Sequence, residues 1–128
     1  MQIIPVFHVS DMKKSLDFYT KVLGFKLKYQ DESTEDPVIT ITNDFADIQL
    51  SSIDGTNNAV VNVRVGDVDS LFESFIKRGL DTSKKKQSPV HQGPLDQTWG
   101  MREFYVTDHD GHTLRFGRPL NKTLPLKN

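Results

Sequence analysis

The chain has 128 residues, 36% hydrophobic and 26% charged, the make-up of one globular domain with enough apolar residues for a core. Its 16 Lys and Arg against 17 Asp and Glu leave a formal net charge of -1, which offers no electrostatic footprint for nucleic acid or an anionic membrane. With no cysteine, disulfides, thiolate nucleophiles and Cys-ligated zinc are excluded.

The opening Met-Gln-Ile-Ile-Pro-Val-Phe-His lacks the basic-then-apolar pattern of a secretory leader, and no apolar run nears the roughly 20 residues of a membrane span. A cytoplasmic protein is the expectation. Residues 3–9, IIPVFHV, are rich in β-formers and predict a strand, with Pro5 favouring a sheet edge. Ser10 or Asp11 can cap a helix in which Met12, Leu16, Tyr19 and Leu23 recur at helical spacing up to Gly24. Strands are expected near 26–30, 37–43 and 47–52, followed by the turn-rich linker IDGTNN at 53–58.

From there the pattern repeats. AVVNVRV at 59–65 predicts a strand, Asp67 a cap, and Val68, Leu71, Phe72, Phe75 and Ile76 one face of a helix that stops near Gly79. VSDMKKSLDFYTKVLGF set beside VGDVDSLFESFIKRGL pairs Asp11 with Asp67, Leu16 with Phe72 and Tyr19 with Phe75. That is a repeat at half the chain length. Residues 81–97, with Lys84-Lys85-Lys86, read as a polar, solvated stretch. Strands then follow near 102–107 and 112–116, and a tail from 118 reads as an irregular arm.

The last two strands and their turn, WGMREFYVTDHDGHTLRFG, concentrate His, Asp, Glu and Arg. A calcium loop starting at Asp108 would need a Glu at its twelfth position, where Pro119 stands, so Asp108-His109-Asp110-Gly111 reads as hairpin chemistry with His109 exposed. Strand alternation places Leu114 and Phe116 opposite Thr113 and Arg115. It likewise sets Phe104 and Val106 opposite Glu103, Tyr105 and Thr107, and groups Val60, Asn62 and Arg64 together. Each sheet should thus have an apolar face under a helix and a second, polar face.

Three segments, PVFHVSDMKKSLDFYTKVLGFKL, NNAVVNVRVGDVDSLFESF and QTWGMREFYVTDHDGHTLRFG, carry a resemblance that spans about residues 3–117. They resemble the vicinal oxygen chelate superfamily, the glyoxalase, bleomycin-resistance and extradiol dioxygenase group. Bleomycin resistance proteins are the nearest likeness, through the opening PV, a W-G-x-R-E-F strand and a D-x-x-G turn. The resemblance implies an α+β fold of two βαβββ modules, about 1–53 and 59–117, each with a cupped mixed sheet forming a cleft, and an arm at 118–128. It also implies a homodimer with ligand clefts between subunits.

Metal-dependent members of that group hold their ion at four positions that fall here on Ile4, Gln49, Val60 and Arg115. Two are aliphatic and one is a cation, short of the three or four oxygen or nitrogen donors a catalytic metal needs. The expectation is therefore no metal and no cofactor, with His8 and Glu103 the nearest substitutes if ligands were shifted. Trp99 matches the tryptophan of the bleomycin-binding strand, whereas Asn62 and Arg64 stand where those proteins carry tryptophans. The acidic stretch 31–36 can offset Arg64 and Arg115 at the rim. The expected ligand-binding set is Trp99, Arg115, Arg64, Asn62, Glu103, Gln49, His8 and Tyr29, with no catalytic residue.

Plainer roles exist for several: Trp99 packed under a loop, Arg115 paired with Glu103 or Asp47, His8 a satisfied half-buried histidine, Tyr29 covering a helix. Three functions compete. The first is sequestration of a bleomycin-type antibiotic. The second is a glyoxalase-like lyase or dioxygenase with a divalent metal at non-standard ligands. The third is a binding module for an anionic metabolite, since two inward arginines suit a carboxylate or phosphate.

Overall fold

A computed structural model describes residues 1–29, 32–44, 46–83 and 93–120. The lysine run 84–86, Asp31 of the acidic stretch and the end of the tail from 121 lie outside the described residues. The first module contains β1 (Val6–His8), α1 (Met12–Asp17), a π-helical turn (Phe18–Val22), β2 (Lys26–Leu27), β3 (Val38–Asn43) and β4 (Ala46–Ser51). The second contains β5 (Val60–Arg64), α2 (Val68–Lys77), β6 (Leu95–Asp96), β7 (Met101–Thr107) and β8 (Thr113–Pro119).

The sheets run β1-β4-β3-β2 and β5-β8-β7-β6, the same order when each module is numbered from its own first strand. In both, the first strand lies parallel to the last and the other pairs are antiparallel. The fold is α+β, with two βαβββ modules. The repeat in the sequence is thus a repeat in topology, and the two caps share it. Asp11 accepts the Lys14 N–H at 3.1 Å and Asp67 accepts the Ser70 N–H at 3.0 Å, each filling one orphan donor of a helix start.

Four elements differ from the sequence reading. Strand β1 begins only at Val6, because Pro5 has no N–H to donate, although its carbonyl accepts Gln49 N at 2.9 Å. The first helix is α-helical only to Asp17. The Thr20 hydroxyl donates to the Leu16 carbonyl at 2.6 Å, and Leu23 N reaches back five residues to Phe18 O at 3.2 Å. Within the stretch read as a polar loop, Leu95–Asp96 pair with Glu103 and Arg102 as β6. Finally, β8 runs on through Arg118 and Pro119 into the expected arm, and Leu120 N donates to Gly100 O at 2.9 Å.

The apolar faces of both sheets and both helices share one core. Phe72, Phe75, Phe104 and Phe116 stack and tilt against one another at centroid distances of 5.1 to 5.9 Å in the second module. In the first, Phe7, Tyr19 and Phe25 do the same at 5.9 and 6.4 Å. Full burial of such a side chain is worth about 1.5–3 kcal/mol, and edge-to-face or offset contacts add about 0.5–1.5.

Candidate functional site

The register of the second sheet lays its polar face out in rows, since directly paired residues point the same way. Thr107, Thr113 and Val60 form one row; Tyr105, Arg115 and Asn62 the next; Glu103, Gly117 and Arg64 the third. Four sequence-predicted residues, Asn62, Arg64, Glu103 and Arg115, are therefore brought together on adjacent rows. Trp99 stands beyond the next row, Met101 and Pro119, 59% exposed, in the turn where Gly100 N donates to Gln97 O at 3.1 Å. It is not packed under a described loop.

Within these rows Glu103 is buried, only 4% exposed, and accepts the Tyr105 hydroxyl at 3.3 Å. Gly117 makes room for it: a Cβ there would lie 2.9 Å from the Glu103 Cγ. Arg115 lies over the Tyr105 ring, with its guanidinium carbon 5.2 Å from the ring centre. Among the described residues the Arg115 side chain makes no hydrogen bond or ion pair, and its Nε is buried without an acceptor. The pairing with Glu103 or Asp47 that the sequence left open is not formed. Burial, and after it the Glu103 carboxylate, raises the Tyr105 phenol above its ordinary value, so it remains a donor.

His8 and Gln49 lie on the other sheet, where β1 and β4 bring them into rows with Ser51 and Val38, and with Val6 and Thr40. The next row holds Asp47, ion-paired with Lys28 and accepting the Thr42 hydroxyl at 2.6 Å. Those two bonds, the lysine first, hold its carboxyl below the usual carboxylate range. Tyr29 follows the short β2 and is exposed, apart from the second-sheet cluster. Between the two modules a groove of about 520 Å³ runs along the outer edge of β5, with Ile3 and Pro5 on one side and Asn62 and Arg64 on the other.

The acidic hairpin that looked most like chemistry does something else. Asp108 Oδ1 accepts Asp110 N and His112 N, at 3.0 and 2.9 Å, while Gly111 sits at φ +88°, as turn chemistry requires. Asp108 Oδ2 accepts the buried Tyr19 hydroxyl at 2.7 Å, and Asp110 accepts the Ser10 hydroxyl at the same distance. Tyr19 and Ser10 belong to the first module. Burial, then the Asp108 charge, pushes the Tyr19 phenol well above its usual value.

His112, fully buried, completes this clasp: its Nδ1 accepts Ala59 N at 3.0 Å, so the ring carries its proton on Nε2 and donates to His8 O at 2.7 Å. The ring stacks on Phe7, 4.5 Å between centres. Sequence reasoning missed this role. The available signal was a histidine on the same strand face as Leu114 and Phe116, where only a satisfied imidazole can sit.

The metal-ligand positions carried over by resemblance are split between the sheets: Ile4 precedes β1, Gln49 is on β4, Val60 on β5 and Arg115 on β8. Among the described residues, no three His, Cys, Asp or Glu side chains converge as metal ligands. A divalent ion at these four positions would face two aliphatic groups and a guanidinium, so the residues present do not fit it.

Comparisons with known proteins agree on the fold. The bleomycin-binding protein solved in complex with bleomycin superposes with a TM-score of 0.73 at 19% identity, covering 92% of this chain and 98% of its own. The bleomycin resistance determinant encoded on the transposon Tn5 gives 0.74 at 19% identity, covering 93% and 98%. TioX from Micromonospora sp. ML1 gives 0.70 at 22% identity, covering 94% and 99%. No curated protein matches. A sequence profile matches residues 5–116, and by that match the chain belongs to the Glyoxalase/Bleomycin resistance protein/Dioxygenase superfamily.

Proposed function

We propose that this chain is a metal-independent small-molecule-binding protein of the bleomycin-resistance type, acting by sequestration in a cleft that a second copy completes. The observation that carries the reading is the composition of the β5–β8 polar face. It lays a buried aromatic ring under a guanidinium that has no acceptor among the described residues, beside an exposed amide and a buried carboxylate, and no three His, Cys, Asp or Glu side chains of the described residues converge there as metal donors. Such a face can hold a ligand by stacking and charge without a bond-breaking group aimed at it.

The bleomycin complex formed by a protein of the same fold supports the choice of first ligand. Dimer formation is supported by β5, an edge strand whose first residue, Val60, is 54% exposed, and by the groove beside it, where Ile3 is 86% exposed. A cytoplasmic setting fits a chain in which none of the described helices is long and apolar enough to cross a membrane.

The test follows the fluorescence of Trp99, the single tryptophan, during titration with bleomycin and with a panel of small acids and phosphates. Saturable change with any of them is the expected result. A flat signal throughout, with an equally flat calorimetric titration, overturns the reading. Metal analysis of the purified protein provides the second check: stoichiometric zinc, nickel, iron or manganese would favour the enzyme alternative.

A further inference from the structure

The geometry points to an acidic ligand: a small molecule whose carboxylate or phosphate is received by the terminal nitrogens of Arg115, with Arg64 beside it, on the polar face of the β5–β8 sheet. This rests on the preceding reading of that face as the small-molecule cleft and narrows its ligand.

The first support is the unspent charge of Arg115. Its Nε is enclosed without an acceptor, and among the described residues neither terminal nitrogen bonds to protein. A buried donor left without a partner is costly, and more so on a charged group, so the acceptor is sought outside the chain. The contrast lies on the same sheet. Arg102, on the helix-covered side, is bound at 2.7 Å by Asp69 and at 2.8 Å by Asp96. Where the fold uses Arg102 structurally, it supplies two carboxylates.

The second support is the arrangement around it. The Tyr105 ring beneath the guanidinium fixes the plane of the fork, the condition for reading an oxyanion with two parallel N–H bonds. Asn62 is the β5 partner of Arg115 and Arg64 is one row on; both are exposed, and among the described residues Arg64 has no side-chain hydrogen bond or ion pair. The nearby acid does not cancel them. Glu103 lies across Gly117 and takes the Tyr105 hydroxyl, in the row that Arg64 shares. Among the described residues Arg115 and Arg64 share the face with one carboxylate, while Asp44 and Asp47 line the groove that Arg64 borders, so Arg115 is the guanidinium that an oxyanion finds without an acceptor.

The test uses the full chain, 15N-labelled, observed by NMR while benzoate, phenyl phosphate or the neutral control benzyl alcohol is added to millimolar concentration. Expected are saturable shifts of the Arg115 Nε–H and of the Asn62 and Tyr105 amides with at least one acid, and none with the alcohol. Arg115→Gln should weaken that binding about tenfold or more, and Arg115→Lys by less, because the charge survives and the fork does not.

The acid that saturates at lower concentration identifies carboxylate or phosphate. If the alcohol binds as well as both acids, or Arg115→Gln binds them undiminished with an otherwise unchanged spectrum, the acid is overturned while the small-molecule cleft stands. If none of the three moves these signals, and the Trp99 titrations are also flat, both readings fall.

Discussion

Replacing His112 by Phe tests whether the hairpin is a clasp between modules. Phenylalanine keeps a ring to stack on Phe7 but removes both ring nitrogens. The Ala59 N–H and the His8 carbonyl, now 3.0 and 2.7 Å from those nitrogens, lose their partners. The first is buried and the second partly so. At about 1–3 kcal/mol for each unmet group the loss comes to about 2–6 kcal/mol, a large share of the roughly 5–15 that a domain possesses.

Equilibrium urea unfolding followed by circular dichroism reads this directly. With a slope of about 1–3 kcal/mol per molar urea, the midpoint should fall by roughly 1–3 M. His109→Ala is the control in the same hairpin. His109 is exposed and its described partner is the neighbouring Asp110 at 3.2 Å, so a change within about 0.5 kcal/mol is expected. A His112→Phe midpoint equal to the parent's, or equal losses in the two histidine variants, would mean that the His112 bonds do not clasp the modules.

Tyr19→Phe removes the 2.7 Å bond to Asp108 and should cost about 1.5–3 kcal/mol in the same assay. It should also flatten the alkaline limb. The folded phenol holds its proton well above the ordinary value, so above about pH 10 the unfolded chain loses a proton that the folded one keeps, and stability falls with pH more steeply in the parent than in the variant, which retains the smaller contribution of Tyr105. Asp47→Asn acts at the other end. A carboxyl held low by Lys28 contributes stability above the ordinary carboxylate range and loses it as pH falls through its folded value. The variant's melting temperature should therefore decline less steeply below about pH 4, and parallel curves would count against the pairing. Gly117→Ala sets a Cβ 2.9 Å from the Glu103 Cγ and 3.2 Å from the Arg102 carbonyl. A loss of about 1–3 kcal/mol is expected, with amide shifts centred on Glu103 and Tyr105.

Strand alternation and helix spacing were enough to place the core faces. Phe7 and Val9, Phe104 and Val106, Leu114 and Phe116 are all buried on the sides their periodicity assigns. The two Asp caps and both Gly stops were legible for the same local reason: each satisfies a helix end within a few residues. Non-local choices were not legible. The π-helical turn depends on Thr20 competing for a carbonyl, and on Tyr19 being pinned by an acid 89 residues away. Strand β6 is two residues long, and pairing with β7, not its own composition, makes Leu95–Asp96 a strand.

The polar face shows why a site is harder to read than a core. Alternation put Glu103, Tyr105, Thr107 and Arg115 on one side, but it could not say whether water or protein covers them. Glu103, Tyr105 and Thr107 prove to be buried, so the face is not merely the solvated back of a sheet. Register then separates residues that alternation had merged. Arg115 shares its row with Tyr105 and Asn62, whereas Glu103 shares a row with Gly117, whose missing side chain leaves room for the Glu103 Cγ. The acids and histidines that first drew the eye, Asp108, Asp110 and His112, are consumed by bonds that hold the modules together. In the same hairpin Arg115 keeps its donors among the described residues, and a charge held in place without a carboxylate from them is where a ligand has something to gain.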